Sequence, residues 1–371
     1  MGPDSVASFA RDLPRPFGVY VHVPFCAHRC DYCAFATYAD RDHLMDDYVA
    51  AVVTEIGRAR NDGLPEATSI FFGGGTPSRL TPEQLLKVLG AIPRTDDAEV
   101  TVECNPEDAS AERLGAYRDG GVSRMSFGVQ STRPAVLADL GRRHGTMAHE
   151  EVSRAVHEAG FVTWNMDLIV GSRAETLTDV QRTLDDLLGL EFAPPHLSCY
   201  ALTPEPGTPL GEDPTRHPDE DETADAYDLV GRVLESHGYL WEEISNWAKP
   251  GHECRHNHVY WDQDDYVGFG SAAHSHRQGR RYWNVRTPDR YIAMVRAGTI
   301  PRGGEESLDE ATRAFERDSL ALRTSRGVPV EAFGSLDEIG HLVRVRDGRV
   351  TLAPNGRLLA NQVIVRLRSA D

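Results

Sequence analysis

The chain is short of positive charge: 39 Lys and Arg stand against 57 Asp and Glu, a formal charge of −18 over 371 residues. Phosphate backbones and anionic lipid normally need clustered Lys and Arg, so neither nucleic acid nor a membrane surface is an expected partner. Also missing is any run approaching the ~20 consecutive apolar residues of a membrane-spanning helix. The opening stretch from Met1 to Gly18 carries Asp4, Arg11, Asp12 and Arg15 among three prolines, not the apolar segment of a secretory signal, and a cytoplasmic location is expected. Cysteine is sparse. Of six, Cys26, Cys30 and Cys33 crowd into one loop while Cys104, Cys199 and Cys254 are scattered, which suits metal ligation better than a disulfide framework.

What is present is enough apolar residue, 40% of the chain, to bury a full core, and at about 150 residues per domain the length suggests two domains. Short β-branched or aromatic runs recur at Val19–Val23, Thr68–Phe72, Glu99–Glu103, Arg124–Val129, Thr163–Val170 and Leu197–Leu202. Between them lie helical patterns such as Leu44–Ala59, Pro82–Leu89, Ala111–Arg118, His149–Glu158 and Leu177–Leu190. This alternation predicts an α/β fold with parallel strands, either a barrel, complete or partial, or an open doubly wound sheet. Three units are expected: an arm over 1–17, the βα domain over 18–250, and a smaller, mostly helical C-terminal domain over 251–371. Its hairpin across Asp347-Gly348 and closing helix outline a winged-helix DNA reader carrying Arg344, Arg346 and Arg349. The charge balance favours a plain packing module.

In such sheets ligands bind where loops follow the strands. The strongest local signal there is Cys26-Ala-His-Arg-Cys30-Asp-Tyr-Cys33. A four-iron cube wants four thiolates, and three on one short loop leave one iron open to an outside ligand. Structural zinc, with His22 or His28 as a fourth ligand, is the alternative. Gly73-Gly74-Gly75-Thr76 follows the second strand and has no Lys-Ser or Lys-Thr continuation, so it is not a phosphate loop. Its glycines suit close backbone approach to a ligand, although a glycine run alone is more often a turn.

Cys26, Cys30 and Cys33, with Tyr32 before the third, match the signature of radical S-adenosylmethionine (SAM) proteins, and Tyr20-Val-His-Val-Pro-Phe-Cys26 narrows the match. The chain resembles the oxygen-independent coproporphyrinogen III oxidase family of porphyrin biosynthesis, which includes heme chaperones. Gly73–Ser78, Glu103–Pro106, Ser126–Ser131, Leu140–His144, Asn165–Ile169, Leu202–Leu210 and Glu243–Trp247 carry the resemblance along nearly the whole chain. It implies a partial (βα)6 barrel, a 4Fe-4S iron-sulfur cluster on the three cysteines, and SAM chelating the open iron for one-electron cleavage. It further implies cofactor contacts from Tyr20, Tyr32, Gly74, Gly75, Thr76, Glu103, Gln130, Arg142 and Asp167. Tyr20 is expected to pack against cluster and cofactor.

Two departures from the oxidases point to the heme chaperone branch. Phe35 stands where they carry a further cysteine, and only about 19 residues precede the motif's tyrosine. His256-Asn-His-Val-Tyr-Trp261 matches the chaperones' H-N-x-x-Y-W motif. Imidazole is a standard axial ligand for heme iron, so heme is expected near His256, with His252, Cys254 and His258 as neighbouring candidates. The segment Gly270–Ser275, with His274, is expected to pack the domains together. Heme transfer to acceptor proteins is the first functional expectation, and oxidative decarboxylation of coproporphyrinogen propionates the second. The electron donor, the heme acceptor and a possible dimer are left open.

Overall fold

The computed structural model describes residues 15–367, so residues 1–14 of the expected arm lie outside the described residues. Six parallel strands, β1 (Phe17–Val23), β2 (Ala67–Gly74), β3 (Arg94–Cys104), β4 (Arg124–Gln130), β5 (Thr163–Val170) and β6 (His196–Ala201), lie side by side in chain order. The helices between them are α1 (Met45–Asn61), α2 (Pro82–Ala91), α3 (Ala111–Asp119), α4 (Pro134–Asp139), α5 (Ala148–Glu158) and α6 (Leu177–Leu188). Because the order never reverses, every crossover turns the same way and the sheet curls into a partial barrel; a doubly wound sheet would reverse. The barrel stays open, since β1 and β6 pair with other strands on their free sides.

Strand periodicity explains the layering. In β1 the apolar Val19, Val21 and Val23 are buried on the outer face, while Tyr20 and His22 alternate with them toward the interior. The outward set continues through Ile70, Phe72, Val100, Val102, Met125, Phe127, Trp164, Met166 and Leu197 in one apolar core with the helices. The interior is correspondingly polar, with Glu103 on β3, Ser126 on β4, Asn165 and Asp167 on β5, and Ser198 on β6. Helix starts are encoded locally: Thr81 and Gln84 cap α2, and Thr176 and Asp179 cap α6, each reciprocally, worth about 1 kcal/mol per cap.

Beyond β6, α7 (Glu220–Ser236) and the hairpin β7 (Leu240–Glu243) and β8 (Asn246–Ala248) close one edge of the sheet. After α8 (Arg255–Trp261) the chain returns to the other edge as β9 (Asp265–Phe269), parallel to β1. The sheet then continues antiparallel through β10 (His274–Arg277), β11 (Arg280–Asn284) and β12 (Arg302–Ser307), with α9 (Pro288–Arg296) between the last two. The remaining elements are α10 (Glu310–Leu322), β13 (Val328–Pro329), β14 (Val343–Arg346), β15 (Arg349–Leu352) and the short α11 (Ala360–Ile364).

The stretch from 251 onward is therefore mixed rather than mostly helical. Val267, Phe269, Val285, Tyr291, Ile292 and Val295 belong to the barrel core, and a separate small core begins only at Leu322. The strands were hidden because β10 and β12 read His-Ser-His-Arg and Arg-Gly-Gly-Glu-Glu-Ser, with no apolar alternation. Among the described residues no helix is long and apolar enough to cross a membrane.

Candidate functional site

A cavity of about 410 Å³ opens where the barrel strands end. Cys26, Tyr32, Gly74, Gly75, Thr76 and Glu103 line it, together with Cys30, Cys33, Gln130, Arg142 and Asp167. The ends of five strands, β1 to β5, and the segments that follow them thus bring eleven of the expected residues to one rim. Tyr20 and His256 are not among them.

The cysteine loop leaves β1 and closes on itself, Cys26 N donating to Tyr38 O at 3.2 Å and Tyr38 N to Pro24 O at 2.8 Å. All six cysteines are free thiols. The Thr76 hydroxyl lies 3.5 Å from Cys26 Sγ, and Arg142 Nη1 3.5 Å from Cys30 Sγ. Burial pushes the Cys26 and Cys33 thiols up, and each also feels the negative charge of its neighbouring sulfurs. A cationic centre shared by the three would relieve both effects.

Among the described residues no three His, Cys, Asp or Glu side chains converge to hold a single metal ion. His22 cannot complete a zinc site as it stands, because Nε2 contacts Ala36 O at 3.1 Å and Nδ1 the Tyr20 hydroxyl at 3.1 Å. His28 Nε2 lies 3.0 Å from Gly141 O and 4.0 Å from Cys30 Sγ. Three thiols on a cavity wall suit a centre with several corners better than a point ion, which is the chemistry of an iron-sulfur cube.

Opposite the cysteines the glycine turn lines the cavity. Gly74 has φ +112°, and a Cβ there would sit 2.5 Å from the His22 ring. A Cβ on Gly75 would stand 2.7 Å from Phe25 O, so both glycines are required by packing. Glu103 Oε2 accepts from Gly74 N at 3.1 Å. Burial, and next the nearby Asp167 charge, push the Glu103 carboxyl up to about 8. Burial likewise raises Asp167, opposed by hydrogen bonds such as that from Asn165 Nδ2 at 2.7 Å. Two adjacent carboxyls held toward neutrality would welcome an ammonium or ribose hydroxyls.

Gln130 carries the clearest mark of a binding position. It has φ +67° and is buried, and its Oε1 has no hydrogen-bond partner. The register of β4 against β5 slips between Phe127 and Gln130, which aims the amide into the cavity. The Nε of Arg142 is also buried without a partner. Orphaned polar atoms and a strained backbone on one wall are what a missing polar ligand leaves behind.

A second cavity, about 760 Å³, adjoins the first across Ala34, Phe35, Gly74 and Glu103. Tyr20 lines this second space instead of the cysteine cavity, because its ring lies behind Gly73 and over Phe71. His256 reaches neither cavity. It is 1% exposed, with Nδ1 2.9 Å from Ser69 Oγ and Nε2 2.8 Å from the Tyr260 hydroxyl. Its ring stacks on Phe71 and packs against Gly18, where a Cβ would come within 3.2 Å. As the structure holds it, His256 offers neither cavity a free nitrogen, since both are hydrogen-bonded, and burial lowers its pKa to about 3, which keeps the ring neutral. From that motif it is Tyr260 that lines the second cavity.

Sequence reasoning missed His274 and Trp283 as cavity residues and assigned the His274 segment to packing. The available signal was the aromatic and imidazole content of 274–283, unusual for an edge ribbon.

A family model described as the Radical SAM superfamily matches residues 20–187. The protein named heme chaperone HemW in Mycobacterium tuberculosis is 36% identical over 94% of this chain and 94% of its own length. The heme chaperone HemW of Bacillus subtilis strain 168 is 34% identical over 93% and 97%. The solved structure of coproporphyrinogen III oxidase (HemN) from Escherichia coli, described as a radical SAM enzyme, superposes with a TM-score of 0.82. At 22% identity over 95% of this chain and 89% of that one, it shows the shared fold. With the cysteine loop, the glycine turn and the polar strand ends gathered on one rim of that fold, the chain belongs to the HemW family of the radical SAM superfamily.

Proposed function

We propose that this protein is a cytoplasmic heme chaperone that carries a 4Fe-4S cluster and SAM in the first cavity, binds heme, and passes it to acceptor proteins. The observation that carries the reading is the pair of adjoining cavities sharing the Gly74 and Glu103 wall. One is chemically suited to a cluster with a small polar cofactor, the other large and aromatic enough for a tetrapyrrole.

Cys26, Cys30 and Cys33 would hold the cluster, which when bound supplies one-electron chemistry to SAM on its open iron. Gly74 and Gly75 let the backbone approach the methionine end. Glu103 and Asp167 accept hydrogen bonds from ammonium or hydroxyl groups, Gln130 offers its amide oxygen, and Arg142 lies ready for a carboxylate. Tyr32 also stands on the cavity wall, beside the cysteines. The phenyl ring of Phe35, 64% exposed between the cavities, offers neither a proton nor a thiolate.

Anaerobic reconstitution of the full chain, read by iron and sulfide content and followed by hemin titration, tests the proposal. About four irons per chain and saturable hemin binding are expected. A chain that takes up a cluster but no hemin would refute the chaperone reading, and vinyl products from coproporphyrinogen III with SAM and a reductant would replace it with the oxidase.

A further inference from the structure

Of the histidines on the second cavity, one has a nitrogen to spare. His22 uses both, as described above. His274, on β10, is exposed to the cavity and stacks on Trp283 of β11, ring centroids 5.6 Å apart at 26°. Its Nδ1 lies 3.0 Å from Ala272 O. A carbonyl only accepts, so Nδ1 carries the proton and Nε2 keeps its lone pair. No hydrogen bond occupies that Nε2 among the described residues. A backbone carbonyl that fixes the tautomer of a stacked imidazole is the arrangement found behind metal-ligating histidines.

The rest of the wall fits a flat dicarboxylate. Tyr20, Tyr260, Tyr266 and Trp283 provide aromatic surface, and Gly303 on β12, beside β11, completes this part of the lining. Arg286 and Arg290 stand on the rim, both exposed, and neither has a carboxylate within ion-pair distance among the described residues. In a chain of net charge −18, two uncommitted guanidinium groups at one opening are a specific feature. Guanidinium forks match carboxylates bidentately.

We propose that the second cavity is the heme seat, with His274 Nε2 as an axial ligand to the iron and Arg286 and Arg290 holding the propionates. This rests on the heme chaperone reading and relocates its ligand from the sealed His256 to β10. No bond within the porphyrin is broken; binding exchanges a weak ligand on ferric iron for the imidazole. The Gly74 and Glu103 wall then separates heme from the cysteine cavity, so cargo and cofactor are neighbours without sharing ligands.

The test is hemin titration of the anaerobically reconstituted full chain, with iron-free protoporphyrin IX as a second probe. His274→Ala is expected to weaken hemin binding at least tenfold and to change the Soret and EPR signatures. Protoporphyrin IX, which needs no axial ligand, should bind His274→Ala within about twofold of the parent chain, which also shows that the cavity has folded. His274→Met should restore part of the hemin affinity with a Soret band at a different position. Arg286→Gln with Arg290→Gln should weaken both probes and reduce the salt dependence of binding.

An unchanged hemin spectrum and affinity in His274→Ala would overturn the assignment while leaving the chaperone reading intact. If the parent chain bound no hemin at all, both would fall. Loss of the bound-heme spectrum in His256→Gln, with protoporphyrin IX still bound, would return the ligand to the H-N-x-x-Y-W motif and overturn this assignment.

Discussion

The two ends of the barrel interior are built on opposite principles. Where the strands begin, α8 plugs the barrel and polar groups answer one another. Glu99 Oε1 accepts from His256 N at 3.0 Å and Oε2 from Arg255 N at 3.1 Å. Arg124 Nη2 donates to His196 Nδ1 at 2.8 Å, and His196 Nε2 donates to Asn246 Oδ1 at 2.8 Å. Only scattered atoms such as Arg124 Nε and Glu242 Oε2 lack partners there. Where the strands end, Gln130 Oε1 has no partner among the described residues and its backbone is strained, Glu103 has a single backbone donor there, and burial and neighbouring sulfur charge push the Cys26 and Cys33 thiols up. The first end is finished by the chain itself, and the second awaits what the chain binds. His256 resembles a ligand in sequence, yet it belongs to the finished end.

The sharpest way to break this comparison is to remove one group from each end. Cys33→Ala should reduce iron and sulfide after anaerobic reconstitution to background while leaving urea unfolding of the cluster-free chain within about 1 kcal/mol of the parent. A second effect, opposite in kind, is expected of Glu99→Gln. It leaves one amide oxygen for two backbone donors, sets an NH2 against the other, and removes a counter-charge from Arg124, and should destabilise the chain by about 3 kcal/mol in urea unfolding. The folded fraction should still take up its cluster. If Glu99→Gln lost the cluster without losing stability, the plug would be part of the site and the two-ended description would fail.

How much of this was legible in the sequence follows from the range of the interactions involved. The valines of β1 alternating with Tyr20 and His22 announce an apolar outside and a polar inside, because strand period is local. The cysteine spacing and the glycine turn are equally local, and the structure brings those residues to one cavity. The place of His256 was not legible. It depends on β9 pairing with β1 from the far side of the chain, which draws α8 under the barrel. A buried, doubly hydrogen-bonded imidazole and a metal-ligating one have the same letter. His274 was missed for a related reason, since β10 is short and polar and gains its cavity only by lying beside β9.

Protonation offers a smaller test at the open end. The Glu103 carboxyl sits near about 8 when folded, because of burial and Asp167, and at an ordinary carboxylate value when unfolded. The folded chain therefore holds an extra proton between these values, so unfolding free energy should fall as pH rises from about 4.5 to about 8. The expected loss in cofactor-free protein is on the order of 2 kcal/mol, since cavity water can solvate the carboxylate as it ionises. Glu103→Gln removes this proton and should flatten that part of the stability profile, measured by urea unfolding across the window. A parallel slope in both proteins would mean that Glu103 titrates normally and that the polar rim is already solvated.

The smallest effect is the most discriminating. Gln130 holds φ +67°, a region that costs a non-glycine residue of order 1 kcal/mol. Gln130→Gly relieves that strain but makes the unfolded chain more flexible, so the cofactor-free protein should change in stability by no more than about 0.5 kcal/mol. The amide oxygen that has no partner among the described residues disappears with it. If that atom serves a ligand, SAM binding to the reconstituted protein, read by equilibrium dialysis, should weaken at least fivefold although the fold is undisturbed. Unchanged SAM affinity would show that the strained turn at the end of β4 is a matter of packing, and would shift the open end one step toward the finished one.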